Sequence, residues 1–287
     1  MNNKSSKKVT LISEKRLVKS YRYGNNLELT TALGQFEQSI KILPKRRYVI
    51  IETGEIRTMN TSNSNRQDNL DSVKRSMRKL RMLISHNFSG EKNELWVTLT
   101  YKEHVTDPST VYQHFKVYIR KLRKDYPKTK YISVIEPQAS GSWHLHVLLK
   151  NEHYTTLFIS NDEMASMWMR GFTSTKRLKK SDHIASYVIA YLSNLEYSQT
   201  ENNSEKKYVK GARLHLYPKG IRIFRCSRGI KYPIEKTDFK GKILKENNLD
   251  KNSTPSFSKR SDHVTHDGRT IYYSTEYFND LSAKDGD

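Results

Sequence analysis

KYISVIEPQASGSWHLHVLLK (130–150) is the stretch that decides how the chain is read. Residues 130–136 alternate as a strand, Gln138–Ser142 has turn composition, and 143–150 reads as a returning strand. On a strand, residues i and i+2 share a face, so His144 and His146 project together. Glu136 ends the preceding strand with Ile132 and Val134 on its own face, and a hairpin about Ser140-Gly141 carries it beside the two histidines. Two imidazoles and one carboxylate suit a single divalent cation and leave coordination positions open for water or a phosphate oxygen. A plainer reading makes Glu136 a strand-end charge and the histidines half-buried neighbours of Trp143 and Leu148. The three residues alone leave both readings open.

Upstream, ELWVTLTY (94–101) alternates as a strand with Leu95, Val97 and Leu99 on one face. Asp107-Pro108 then starts a helix, with Asp as N-cap and Pro at the first helical position. Its apolar stripe is Val111, Phe115, Tyr118, Ile119 and Leu122, and it ends before Pro127. Downstream, Ser160-Asn161-Asp162-Glu163 fits a capping box, which predicts a short helix over 161–169 stopped at Gly171. Asp182 starts one more helix, about 183–195. There Tyr187 and Tyr191 stand four residues apart, one turn apart on one helix face. Tyrosines at the margin of a buried stripe are ordinary amphipathic core residues. The functional reading is a nucleophile, since a phenolate can form a covalent bond to phosphorus. Segment 92–216 thus reads β-α-β-β-α-α.

Farther out the pattern weakens. RYVIIETGEIRTM (47–59) reads as two short strands around Thr53-Gly54, and 60–69 as a loop. A helix over about 69–86, with Asp68 as N-cap, has Leu70, Val73, Met77, Leu80 and Ile84 at helical spacing. Its other faces carry Lys74, Arg75, Arg78, Lys79 and Arg81, a solvated face or a row of phosphate contacts. Lys176, Arg177, Lys179 and Lys180 sit just before the tyrosine helix, where they are placed to hold a nucleic-acid backbone. Residues 197–210 read as loop, 215–233 as two short strands on a Gly-rich connection, and 247–262 as linker. The tail, with Tyr272, Tyr273, Tyr277 and Phe278 among acids, reads as a docking element or a disordered end. The expected division is an N-terminal extension (1–91) whose basic helix is a DNA-recognition candidate, a central domain (92–233), and a linker with tail (234–287).

Of 287 residues, 51 are Lys or Arg against 30 Asp or Glu, a formal charge of +21 that favours a polyanionic partner, nucleic acid first. A 35% apolar content is lean, but 10% aromatic content is too rich for a wholly disordered chain. The single cysteine, Cys226, excludes an internal disulfide framework and a Cys-cluster zinc site. No run approaches the roughly 18–20 apolar residues of a membrane span. MNNKSSKK at the start has no apolar stretch behind it, so a cytoplasmic protein is expected. The sequence has no GxxxxGK[ST] phosphate loop, no dinucleotide fingerprint and no GxSxG elbow.

Taken in order, WVTLTY (96–101), GSWHLHVLL (141–149) with Glu136 upstream, and YVIAY (187–191) resemble the three motifs of the HUH endonuclease superfamily. More narrowly, they resemble the rolling-circle replication initiators of small bacterial plasmids. The resemblance covers roughly 95–230 and includes the end 220–233. It implies an α+β fold in which helices pack on a central antiparallel RRM-like sheet, flanked here by N-terminal and C-terminal extensions. It implies Mg2+ or Mn2+ at His144, His146 and Glu136, and attack by a tyrosine on one strand of a plasmid origin, single-stranded or in a hairpin. The products are a 5′-phosphotyrosine and a free 3′-OH that primes a host polymerase, with a host helicase as a further partner and later rejoining of the strand. Tyr187 is favoured slightly over Tyr191 as the first nucleophile. The chain departs from the family pattern at Ala190, where a lysine is usual, and Lys176, Lys179 or Lys180 is the substitute. The alternatives are a transposase or mobilisation relaxase of the same superfamily, or a non-catalytic nucleic-acid-binding protein.

Overall fold

The computed structural model describes residues 11–32, 40–59, 70–138, 140–178, 196–197, 208–209, 216–218, 220–264 and 270–281. The chain opens with β1 (Leu17–Tyr23), β2 (Asn26–Thr30), β3 (Ile40–Leu43), β4 (Arg47–Ile50) and β5 (Ile56–Thr58). Then come α1 (Leu70–Asn87), β6 (Glu94–Leu99), α2 (Pro108–Asp125), β7 (Lys130–Pro137), β8 (Trp143–Lys150), α3 (Asn161–Trp168) and β9 (Thr173–Arg177). After β10 (Glu196–Tyr197), β11 (Tyr208–Val209) and β12 (Phe224–Cys226), the chain ends in β13 (Ile234–Phe239), α4 (Lys240–Glu246), β14 (Phe257–Val264) and β15 (Thr270–Phe278). It forms two compact units: a central one, Thr61–Tyr232, and a split one made of Met1–Asn60 with Pro233–Asp287. The fold is mixed α+β with antiparallel sheets. No described helix is long and apolar enough to cross a membrane.

In the central unit five strands pair in the order β12-β7-β8-β6-β9. The registers Thr98↔His146, Val134↔His146, Phe224↔Val134 and Thr98↔Ser174 put the even-numbered residues of all five strands on one face. The odd face meets α2 and α3. The Phe115 ring stands edge-on to Tyr131, and Tyr118 edge-on to Trp168. α2 forms where expected: Asp107 accepts from the backbone N–H groups of Ser109 and Thr110, Pro108 follows, and Val111, Phe115, Tyr118, Ile119 and Leu122 are all buried. Each such side chain gains about 1.5–3 kcal/mol of gross burial energy. α1 lies toward the even face, where the Lys79 ammonium acts on Cys226 and the carbonyl of Asn87 accepts from Lys150. Hence Glu94 and Trp96 are buried as well as Leu95, Val97 and Leu99: β6 is covered on both faces, where simple alternation predicts one. The Glu94 carboxylate is satisfied by the N–H groups of Ser89, Gly90 and Glu91 and by Lys150 at 3.0 Å.

Three expectations change here. α3 is capped by Ser160, which accepts from the Glu163 N–H, but the Glu163 carboxylate takes the Tyr126 hydroxyl at 2.8 Å instead of closing the capping box. The helix ends at Trp168 with Met169 in the left-handed conformation, so Gly171 is not its stop. Gly171 serves close packing: a Cβ there would stand 2.5 Å from the Thr100 carbonyl oxygen. Residues 173–177 form a strand that the sequence reading left unassigned. Among the described residues of 215–233 there is one strand, β12, rather than two. The chain after it turns, with Ile230 N–H bonded to Ser227 and Gly229 at φ +89°.

In the split unit the strand order is β13-β1-β2-β15-β14, and a separate small sheet runs β3-β4-β5. β4 and β5 flank Gly54 as read from 47–59. The larger sheet joins both ends of the sequence, pairing Val18 with Asp238 and Thr30 with Thr275. Val18, Leu27, Leu29, Ile243, Leu244 and Phe278 form its core. The linker expected over 247–262 is therefore partly β14, and the expected tail is β15. β14 is an edge strand whose described side chains are largely exposed, so a polar composition suits it. The basic helix α1, grouped by sequence with the N-terminal extension, lies within the central unit. Asp68, the 60–69 loop and the 183–195 helix lie outside the described residues, and β10 and β11 pair across much of the 197–210 segment.

Candidate metal centre

The β7–β8 register sets Glu136 directly opposite His144, with His146 two residues farther along the same face. Both strands lie inside the sheet, and the side chains are nearly sealed: Glu136 is 2% exposed, His146 4% and His144 8%. Their tips converge. His144 Nε2 lies 3.0 Å from His146 Nε2, and Glu136 Oε2 lies 3.2 Å and 3.1 Å from those two nitrogens. With bonds of about 2.1 Å to a divalent ion, ligands at right angles stand about 3.0 Å apart, so these separations match three adjacent positions of an octahedral set.

Burial would push the Glu136 carboxyl up, but hydrogen bonds from the two imidazoles outweigh it and bring it down to about 2. Glu136 is therefore an anion at neutral pH. Burial pushes His146 down from its ordinary value, which favours the neutral ring a metal requires. Nδ1 of His144 is buried with no hydrogen-bond partner among the described residues. A burial-sealed imidazole with one nitrogen unmatched and the other aimed at a carboxylate fits a ligand better than a packing residue. Glu136, His144 and His146 all offer ligand atoms within 4.8 Å of one another.

The sequence reading missed a support behind these ligands. His146 Nδ1 lies 3.2 Å from Thr98 Oγ1, and that hydroxyl accepts from Trp96 Nε1–H at 3.3 Å. The Trp96 ring also packs beside His146, centroids 5.4 Å apart. A proton on Nδ1, held by Thr98, leaves Nε2 with the lone pair that ligation uses. The signal was present as period-two alternation in WVTLTY, which puts Trp96 and Thr98 on the histidine face.

The other predicted residues are placed unevenly. Lys176 is exposed on β9, paired with Trp96 and on the histidine face. Lys74, Arg75 and Lys79 are exposed on α1, and Arg78 is half-buried. The Lys79 ammonium sits over the Tyr232 ring at 5.0 Å. Tyr187, Tyr191, Lys179 and Lys180 lie outside the described residues.

Residues 94–196 match the model of a family described as replication-associated protein, ORF2 type. The match begins at β6 and runs through the hairpin that carries the three ligand candidates. No curated protein matches the chain.

Proposed function

We propose that this protein is a replication initiator of the HUH type, which nicks one strand of a plasmid origin and later rejoins it. The observation that carries the reading is the convergence of His144 Nε2, His146 Nε2 and Glu136 Oε2 within 3.2 Å on the inner strands of the sheet. The match of that same segment to replication-associated proteins supports it.

On this reading His144, His146 and Glu136 hold Mg2+ or Mn2+, which supplies Lewis-acid polarisation of the scissile phosphoryl group. The phenol oxygen of Tyr187, or of Tyr191, forms the bond to phosphorus as the bond from phosphorus to the 3′ oxygen breaks. The phenolic proton is exchanged for one on the departing oxygen, so the products are a 5′-phosphotyrosine and a 3′-OH. Attack by a later 3′-OH on the phosphotyrosine reverses the exchange. One phosphodiester-level bond replaces another throughout, so rejoining requires no nucleotide cofactor. Lys176 offsets phosphate charge from the sheet edge, in place of the lysine that Ala190 does not supply. DNA that is single-stranded at the nick site is the substrate, because the attacking and leaving oxygens must line up across an accessible phosphorus.

The test incubates the protein with a labelled single-stranded oligonucleotide from its origin, with Mn2+ or with EDTA, and reads covalent adduct on a denaturing gel. A Mn2+-dependent adduct lost in Tyr187→Phe or in Tyr191→Phe is expected, and the variant that loses it names the nucleophile. Tight DNA binding without any adduct would replace this reading with a non-catalytic DNA-binding protein.

A further inference from the structure

We propose that Phe172 is a stacking platform for a base flanking the reacting phosphate, and that Lys176 holds the backbone of the same strand. The inference rests on the nicking function proposed above.

Phe172 is 72% exposed. A single exposed apolar side chain is ordinary, so exposure alone carries nothing. Its position does. Thr100 donates its backbone N–H to the Phe172 carbonyl at 3.0 Å and its hydroxyl to the same oxygen at 2.9 Å, which extends the β6–β9 ladder by one rung. Thr173 is buried on the odd face, where its hydroxyl reaches toward Asn161, while Ser174 pairs with Thr98 on the even face. Alternation therefore gives Phe172, Ser174 and Lys176 the same face as His144 and His146. Continuing the β6–β8 register by one residue sets Thr100 beside His144, so Phe172 stands two strands from the ligand cluster. That is about 10 Å, roughly the span of one to two nucleotides.

The backbone beneath this ring is held firmly. Gly171 packs against Thr100, Tyr101 and Lys102 so closely that no Cβ fits, and Trp168 Nε1–H donates to the Thr100 carbonyl at 2.6 Å. Lys102 N–H closes the turn on the Arg170 carbonyl. A fixed backbone under an exposed ring lowers the entropy lost when a flat partner covers it.

Charge selects the partner. Between Glu163 and Asp182 the chain has no acidic residue, while Arg170, Lys176, Arg177, Lys179 and Lys180 fall in that interval. An aromatic face beside unopposed cations suits single-stranded nucleic acid, whose bases stack and whose phosphates carry the countercharge. An apolar protein surface would leave those cations without partners.

The experiment titrates full-length protein into single-stranded origin oligonucleotides carrying 2-aminopurine at successive positions beside the nick site, at two salt concentrations. Wild type is expected to quench one position most, by stacking. Phe172→Ala should abolish that quench and weaken binding by about tenfold to a hundredfold. Phe172→Trp should retain both. Lys176→Ala should flatten the dependence of log K on log salt by about 0.7, one phosphate contact on a single strand. Circular dichroism melts check that the variants fold. Equal binding and equal quenching by wild type and Phe172→Ala, or no single-strand binding by wild type, overturns the platform. Adduct assays on the same proteins separate this from the nicking reading. Adduct formation with Phe172-independent binding removes the platform alone, and Phe172-dependent stacking without adduct removes the nicking alone. With both intact, Phe172→Ala raises the DNA concentration needed for half-maximal adduct and leaves the saturating rate nearly unchanged.

Discussion

Glu276 in the split unit and Glu136 in the central unit are both sealed carboxylates on five-stranded antiparallel sheets, and they differ in what faces them. Glu276 meets Lys240 at 2.7 Å and accepts the backbone N–H of Ile12, while the Lys240 ammonium also reaches the Ile12 carbonyl at 2.8 Å. Charge and hydrogen bonding close within the chain itself. Glu136 meets two imidazoles, groups that carry a lone pair as readily as a proton and that at neutral pH bring little countercharge. A buried carboxylate beside its own ammonium is architecture. One beside two histidines at ligand spacing is a place made for a cation from outside the chain. The surrounding charge follows the same division: the central unit has 30 Lys and Arg against 15 Asp and Glu, the split unit 21 against 15.

The contrast breaks first, if it is mistaken, at the three ligands. Glu136→Ala and His146→Ala should each abolish Mn2+ binding measured by calorimetry and cut adduct formation at least about a thousandfold. Their melting in EDTA should fall no further than wild type loses on chelation. Mn2+ affinity that survives either change would make the cluster a packing feature. Next in size is Lys240→Met. It strands Glu276 in an apolar core and should lower the split unit's unfolding free energy by about 3–5 kcal/mol, followed by denaturant titration. The double change Lys240→Met/Glu276→Leu should recover most of that loss, and Mn2+ binding should be unchanged in both proteins. The smallest effect sharpens the ligand side. Thr98→Val removes the oxygen behind His146 Nδ1 and should weaken Mn2+ binding about tenfold to a hundredfold, with Thr98→Ser restoring most of it. Equal affinity in Thr98→Val and wild type would leave the hydroxyl with no positioning role.

The two units were also unequally legible. α2 was readable because each signal for it is local: Asp107 and Pro108 at the start, and a stripe from Val111 to Leu122 that needs one apolar face. The β7–β8 hairpin was readable for the same reason, and parity alone set Glu136 beside His144. β9 was not. TSTKR is polar, and it is a strand because β6 offers it hydrogen bonds across about 80 intervening residues. The split unit hid more, since the partners of β1 and β2 lie beyond position 230. In β14, Lys259, Arg260 and Asp262 look like linker because an edge strand does not need an apolar face. Thr98 fell between these cases. The alternation placed it on the right face, but a hydroxyl becomes a histidine's partner only through the cross-strand register.

The pairing of Thr30 with Thr275 sets a clock. Those residues are 245 apart in the chain, so at about 5–20 residues per second of synthesis β2 waits roughly 12–50 seconds for its neighbour. The central unit is a domain inserted into a loop of the split one. Its last residue, Tyr232, is synthesised before β13 exists. On a nascent chain, the sheet bearing the histidines therefore has its full complement of strands while β1 and β2 still lack the neighbours that complete theirs. Premature termination between Tyr232 and Thr270 would release a chain with every candidate ligand present and a second sheet short of β15, its longest strand.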